Sequence, residues 1–371
     1  MLVRIARLWA TFHRVKFPEA RPARLAIVAA ALSPALLTAG DNLQARQDEN
    51  PAEYTIRDHG LECAREIGPL PAFSCLDGEL IPVTLNGTPI TNHQPHQECD
   101  RPPLLGLGGS DGQCTPYSRI GRLPGINALG QEDPNIQWAF ICRRYSIRPA
   151  ADDPMFEDVA IVGHNRATGA TCFFQTLTDG IRATRVPPPA EAPEATPAGE
   201  IKAADFWLSP QQTANINCHH CHDSDPFIHT PHVDQVRIQV NGQSVPIVPP
   251  GPNLRANPPE MSRYHFVGEP FRGWPAPVRL RPLGNSCTSC HNIGSRATCE
   301  RFTEAATGRT APNYISTYGW SWPRSHWMPP DVEATGMSQA DWQADFGASV
   351  QKIVDCCQNI TDASCRRRPF D

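Results

Sequence analysis

Cys218-His219-His220-Cys221-His222 and Cys287-Thr288-Ser289-Cys290-His291 are two copies of one five-residue pattern, C-x-x-C-H, and they decide how the second half of this chain is read. Two thiols three positions apart fall on one turn of helix, where both can bond to a single planar ligand. The histidine that follows is then held beneath the centre of the plate. These are the demands of covalent haem: thioethers from both cysteines to the porphyrin vinyl groups and an imidazole on the iron. Cys218, Cys221, Cys287 and Cys290 are therefore the expected attachment residues of two haem c groups, with His222 and His291 as iron ligands. Other uses of paired cysteines fit less well. A zinc site joins C-x-x-C pairs about 15–20 residues apart, whereas Cys221 and Cys287 are separated by 65 residues. A thioredoxin-like motif needs a βαβ setting that the flanking residues do not offer. Two local disulfides would give no reason for a histidine after each pair.

What an iron does depends on the ligand opposite the first histidine, because a blocked iron passes electrons and an open one can react. For the second site, Trp327-Met328-Pro329-Pro330 lies 37 residues beyond His291. A thioether on a proline-stiffened loop suits that position, so Met328 is the expected ligand, with His326 as its rival. For the first site the donors are His229, His232, Met261 and His265, and His229 is the residue chosen. The seven-residue stretch from His222 to His229 reaches about 23 Å when extended, enough to round a porphyrin edge. Five of the eight tryptophans (Trp207, Trp274, Trp320, Trp322 and Trp327) share this region and suit the cover of a large apolar plate.

Ten of the 14 cysteines remain, six before residue 187 and four after residue 290. An even number divided this way predicts an oxidising compartment, with each half closing its own bridges. Bridging neighbours strains the backbone, so Cys356 and Cys357 should each pair with one of Cys299 and Cys365. The first six allow 15 connectivities, and their spacing does not choose among them.

Composition bounds the rest. The chain has 371 residues, 40% of them hydrophobic and 19% charged, which supports packed cores. Its 39 prolines favour loops and short strands over long helices. A net charge of −5 gives no ground for nucleic-acid binding, and only Lys16, Lys202 and Lys352 offer lysine chemistry. Residues 1–45 read as a signal peptide: arginines and Lys16, then the apolar run Leu25 to Ala39, then small residues suited to cleavage. The apolar run is too short to span a bilayer, so the expected location is periplasmic or extracellular, with no stable membrane span after cleavage.

The expected fold class is α+β. Residues 46–185 form a disulfide-rich, mostly-β domain, 186–200 a proline-rich linker, and 201–371 a loop-rich, partly helical domain holding both haem sites. Asp158 to Gly163 and Ala170 to Leu177 read as a two-stranded ribbon, with Trp138 to Ile147 as another strand. Asn86-Gly87 and Asn241-Gly242 are hairpin turns. Ser209-Pro210 starts a helix that leads into Cys218, and Ser338 caps another carrying Trp342, Phe346, Val350 and Val354.

On both C-x-x-C-H sites and the Met-Pro-Pro setting of Met328, the second half resembles the secreted dihaem c-type cytochromes of bacteria, over roughly residues 205–335. The resemblance implies periplasmic maturation and electron transfer with redox partner proteins, the oligomeric state being left open. The chain departs from that pattern in its disulfide-rich front half, in the hairpin between the sites, and in the 69 residues from one motif to the next. That spacing is tight for two complete single-haem folds, so one unit is expected to carry both haems. Two other functions are compatible with these residues: a peroxidase-like dihaem redox enzyme with one open iron, or a binding module that carries a cytochrome.

Overall fold

The two segments expected to form a ribbon become the two longest strands. The structure is a computed structural model that describes residues 54–85, 87–92, 99, 115–146, 148–251, 263–289, 291–300 and 338–370. Its helices are α1 (Ile56–Glu66), α2 (Ala203–Phe206), α3 (Pro210–Asn215), α4 (Pro231–Asp234) and a C-terminal helix ending in Ala348–Gln358. The strands are β1 (Glu79–Leu80), β2 (Thr84–Leu85), β3 (Thr88–Pro89), β4 (Arg119–Leu123), β5 (Ile136–Arg143), β6 (Met155–Asn165) and β7 (Ala170–Arg182). They continue with β8 (Arg237–Val240), β9 (Gln243–Pro246), β10 (His265–Phe266), β11 (Val278–Arg279) and β12 (Arg368–Pro369). The fold is mixed α+β.

One six-stranded sheet, in the order β1-β4-β5-β6-β7-β10, organises the molecule. Its first five strands pair antiparallel, while β10 adds parallel to β7, with His265 opposite Ala170. Burial alternates along β5, so one face presents Trp138, Phe140 and Cys142 and the other Ala139 and Ile141. Both faces are covered. The first meets Ile56, Cys63 and Ile67 of α1 and its end, together with Phe73, Val186, Phe206 and Trp207. The second packs against Phe227, Val236, Ile247 and Val248. Next to them, Phe173 and Val162 meet Ala214, Cys218, Phe271 and Trp274. A separate core joins Leu280, Ile293 and Cys299 to Val350, Ile353 and Val354 of the C-terminal helix.

Disulfides fasten these layers. Cys63–Cys172 ties α1 to β7 and Cys75–Cys142 ties the turn at 75–77 to β5. In the other half, Cys299–Cys357 and Cys356–Cys365 give each of the adjacent cysteines its own partner, as expected. Native bridges of this kind typically contribute about 2–5 kcal/mol each.

The segment expected as a linker, 186–200, packs at its start against the sheet side of the chain. Val186 is fully buried and exchanges backbone hydrogen bonds with Phe73 (3.4 and 2.7 Å), and the Pro187 carbonyl accepts from Trp207 Nε1 (2.8 Å). Gly60 lets α1 approach closely, since a Cβ there would stand 2.4 Å from the nitrogen of Ala190. Val186, Pro187 and Pro189 are apolar and buried, while the turns that follow leave Pro193 and Pro197 exposed. The described residues accordingly belong to one compact unit, Ala52–Asp371. The expected signal segment, 1–45, lies outside the described residues. Among the described residues, no helix is long and apolar enough to cross a membrane.

Trp138 lies directly across from Gly163 in the β5–β6 pairing, and a Cβ on that glycine would stand 2.1 Å from the indole ring. Gly163→Ala should therefore displace the ring and destabilise the fold by about 1–3 kcal/mol. Urea unfolding measures the loss, and unchanged stability would refute this account of the glycine.

Candidate functional site

Local structure brings the first C-x-x-C-H, and the described residues of the second, onto single turns. Ser209 caps α3: its Oγ accepts from Gln212 N (3.2 Å), and Gln212 Oε1 accepts from Ser209 N (2.9 Å). Asn217, left-handed at φ 69°, turns the chain into a 3₁₀ segment, Cys218–His220. The His222 amide then donates to the Cys218 carbonyl (2.9 Å), so Cys218, Cys221 and His222 share one turn. The second copy repeats this geometry. Cys287–Ser289 is 3₁₀, and the His291 amide donates to the Cys287 carbonyl (3.0 Å). Asn285 Oδ1 receives the Thr288 amide (3.1 Å) and caps that turn. Cys290 lies outside the described residues.

The His222 ring is oriented for ligation. Its Nδ1 lies 2.7 Å from the Pro226 carbonyl, which can only accept, so the proton sits on Nδ1 and Nε2 keeps its lone pair. Burial lowers its pKa to about 4, so the ring is neutral at pH 7. The Phe173 ring meets it edge-on with centroids 5.1 Å apart, and the Tyr264 hydroxyl donates to the His222 carbonyl (2.8 Å). An aromatic wall continues beside Cys218. Trp274 contacts Phe173 (5.6 Å), Phe266 (5.0 Å), Phe271 (4.9 Å) and His219 (4.8 Å).

These features test the possible uses of the motif. Burial pushes the Cys218 thiol up to about 12, the reverse of the depressed value that a thiol-exchange motif requires. The four described disulfides leave out Cys218, Cys221 and Cys287. Among the described residues, the group spaced to hold a metal ion is His59, Cys63 and Cys172, and its two sulfurs are bridged to each other. Thiols and a neutral imidazole with its second nitrogen satisfied, on one turn beside an aromatic wall, are a donor set that fits covalent haem.

The loops that follow the two motifs touch. Asp223, next to His222, accepts from Arg296 N (2.6 Å) and from Thr298 Oγ1 (2.9 Å). Asp225 Oδ1 accepts from Asn292 Nδ2 (3.0 Å), and His220 Nε2 lies 3.5 Å from Glu300. Burial raises the Asp223 carboxyl to about 6 and that of Asp225 to about 7. His222 and His291 thus belong to loops that bond to each other across the intervening sequence. Sequence reasoning missed Asp223, Asp225, Asn292, Thr298 and Phe173. The Asp223-Ser224-Asp225-Pro226 run after the first motif was the available signal, and nothing in it names its distant donors.

Of the remaining expected ligands, His229 lies within the described residues. Nδ1 of His229 lies 2.9 Å from Asp234 and its Nε2 lies 3.2 Å from the Pro249 carbonyl, so both ring nitrogens face oxygen acceptors. Both contacts hold the ring in place, and an iron ligand would have to exchange one of them for the metal. Proximity to His222 suggested ligation, while the nearer Asp234 supplies an ion pair. His265 is exposed on β10. Met261, His326 and Met328 lie outside the described residues.

None of the protein-family models, curated proteins or solved structures compared with this chain matches it.

Burial opposes charge on His229, but the hydrogen bond and charge of Asp234, then Asp225 and the Pro249 carbonyl, raise its pKa above the ordinary histidine value. A raised value stabilises the fold fully below about pH 6.5 and is lost as pH rises through the folded pKa. Asp234→Asn should lower the His229 titration seen by NMR and remove that pH dependence. A His229 that does not titrate would place its ring on a metal instead.

Proposed function

We propose that this chain is an exported electron-transfer protein that carries two covalently attached c-type haems. The observation that carries the reading is the hydrogen bond from His222 Nδ1 to the Pro226 carbonyl, on a turn shared with Cys218 and Cys221. Cys218 and Cys221 would hold one haem and Cys287 and Cys290 the other, with His222, His291 and Met328 as residues that would bind the irons. A haem held in this way supplies a one-electron iron couple.

The chain's own groups do the rest. The Pro226 carbonyl fixes the tautomer and plane of His222 and raises its basicity. Phe173, Phe266, Phe271 and Trp274 exclude water from the Cys218 side, and a low dielectric there favours the less charged state of a bound couple. The disulfide-rich sheet of the front half supplies Phe173 and so forms one wall of the site that the second half provides. On this reading, residues 46–185 are the mostly-β part and 201–371 the cytochrome part. The protein works in the periplasm or outside the cell with redox partner proteins.

The two engaged nitrogens of His229 favour a second reading, in which the first haem keeps an open position and binds a small ligand or peroxide. Carbon monoxide binding to the reduced protein discriminates: binding at one haem supports the enzyme, and binding at neither supports the pure carrier.

The pyridine haemochrome spectrum of the purified exported protein should show two haems per chain. Cys218→Ala combined with Cys221→Ala should leave one. Colourless wild-type protein, or pigment extracted by acidified organic solvent, would overturn the reading.

A further inference from the structure

We propose that Asp223 and Asp225 are positioning residues that hold the two motif turns in one fixed relation, so that the two haems act as a coupled pair. This deepens the dihaem reading and rests on it. Asp223 is only 3% exposed, and a carboxylate is not buried without donors that repay its lost hydration. Its donors come from the loop after the second motif. The Arg296 amide reaches one oxygen (2.6 Å), and the Thr298 hydroxyl stands within reach of both (2.9 and 3.1 Å). That hydroxyl accepts in turn from the Gly294 amide (2.7 Å). A Cβ on Gly294 would stand 2.3 Å from the Asp223 carboxyl carbon, so only glycine lets the loop close over it.

A second link runs parallel to the first, from Asn292 Nδ2 to Asp225 (3.0 Å). Asp223 is the residue after His222 and Asn292 the residue after His291, so each link ends one peptide from an imidazole. A shift at Asp223 or at Asn292 therefore moves a ring. The anchor is stiff on its far side as well. Thr298 precedes Cys299, which is bridged to Cys357 of the C-terminal helix, and the Leu280 amide donates to the Ile293 carbonyl (2.8 Å). The stabilisation of Asp223 could have come from its own loop. Its arrival from the partner motif's loop is what marks the pair as a coupling device.

Circular dichroism in the Soret band of the oxidised holoprotein tests this, because two haems in fixed relation give a bisignate couplet and two independently moving haems do not. Wild-type protein should show the couplet. Thr298→Val combined with Asn292→Leu should reduce it to about half or less while haem count and absorbance stay unchanged, since pre-organised geometry rests on such supporting contacts. Thr298→Ser, which keeps the hydroxyl, should retain it. A couplet of wild-type size in the double variant, or none in wild-type protein carrying two haems, would overturn the positioning role. If the double variant does not accumulate, Thr298→Val alone is read in the same way. Wild-type protein without haem fails at the earlier step, so the two failures are told apart.

Discussion

The antiparallel sheet β4–β7 has apolar residues on both faces, and each face must be shielded from water. Hydrophobic burial contributes about 25 cal/mol per Å², so an uncovered face would leave the sheet marginal. Helix α1, the turn at residue 73, Val186 and the short helix α2 with Trp207 cover one side. The other side is covered by residues that follow the first C-x-x-C-H, from Phe227 to Val248 and at Phe266, Phe271 and Trp274. The position of His222 against Phe173 follows from that cover. Fold and candidate site therefore share one packing solution.

Polar contacts add direction where apolar packing has none. Dispersion would hold the loops after the two motifs together in many registers, whereas Asp223 and Asp225 accept only where donors stand. The same logic governs the buried layer of β5 and β6. Asp158 receives Arg143 and the Tyr145 hydroxyl, and Glu157 receives the Tyr145 amide and Arg148. Those charges are tolerated because each has a partner.

Local signals in the sequence were readable wherever a short-range rule applies. Asn241-Gly242 makes its hairpin with both residues at positive φ, and Ser209 makes its capping box. The adjacency of Cys356 and Cys357 limited their bridges correctly. The contact of His229 with Asp234, five residues on, was not named from the sequence, because two polar residues at that distance meet only once the short helix between them is formed. The expected linker at 186–200 rested on composition, and composition carries no sign of the close approach of Ala190 to Gly60 of α1. Links such as Thr298 to Asp223, 75 residues apart, depend on the completed fold and leave no periodic trace.

The parallel addition of β10 to β7 has a consequence for a chain that emerges amino end first. When residue 185 has emerged, Ile81, Ile120, Ile141, Val162 and Phe173 exist as one side of a sheet with nothing laid over it. Some eighty further residues must follow before His265 reaches the β7 edge. A fragment ending at 185 would thus be sticky and self-associating, and the nascent protein needs a holding factor or rapid synthesis to bridge that interval.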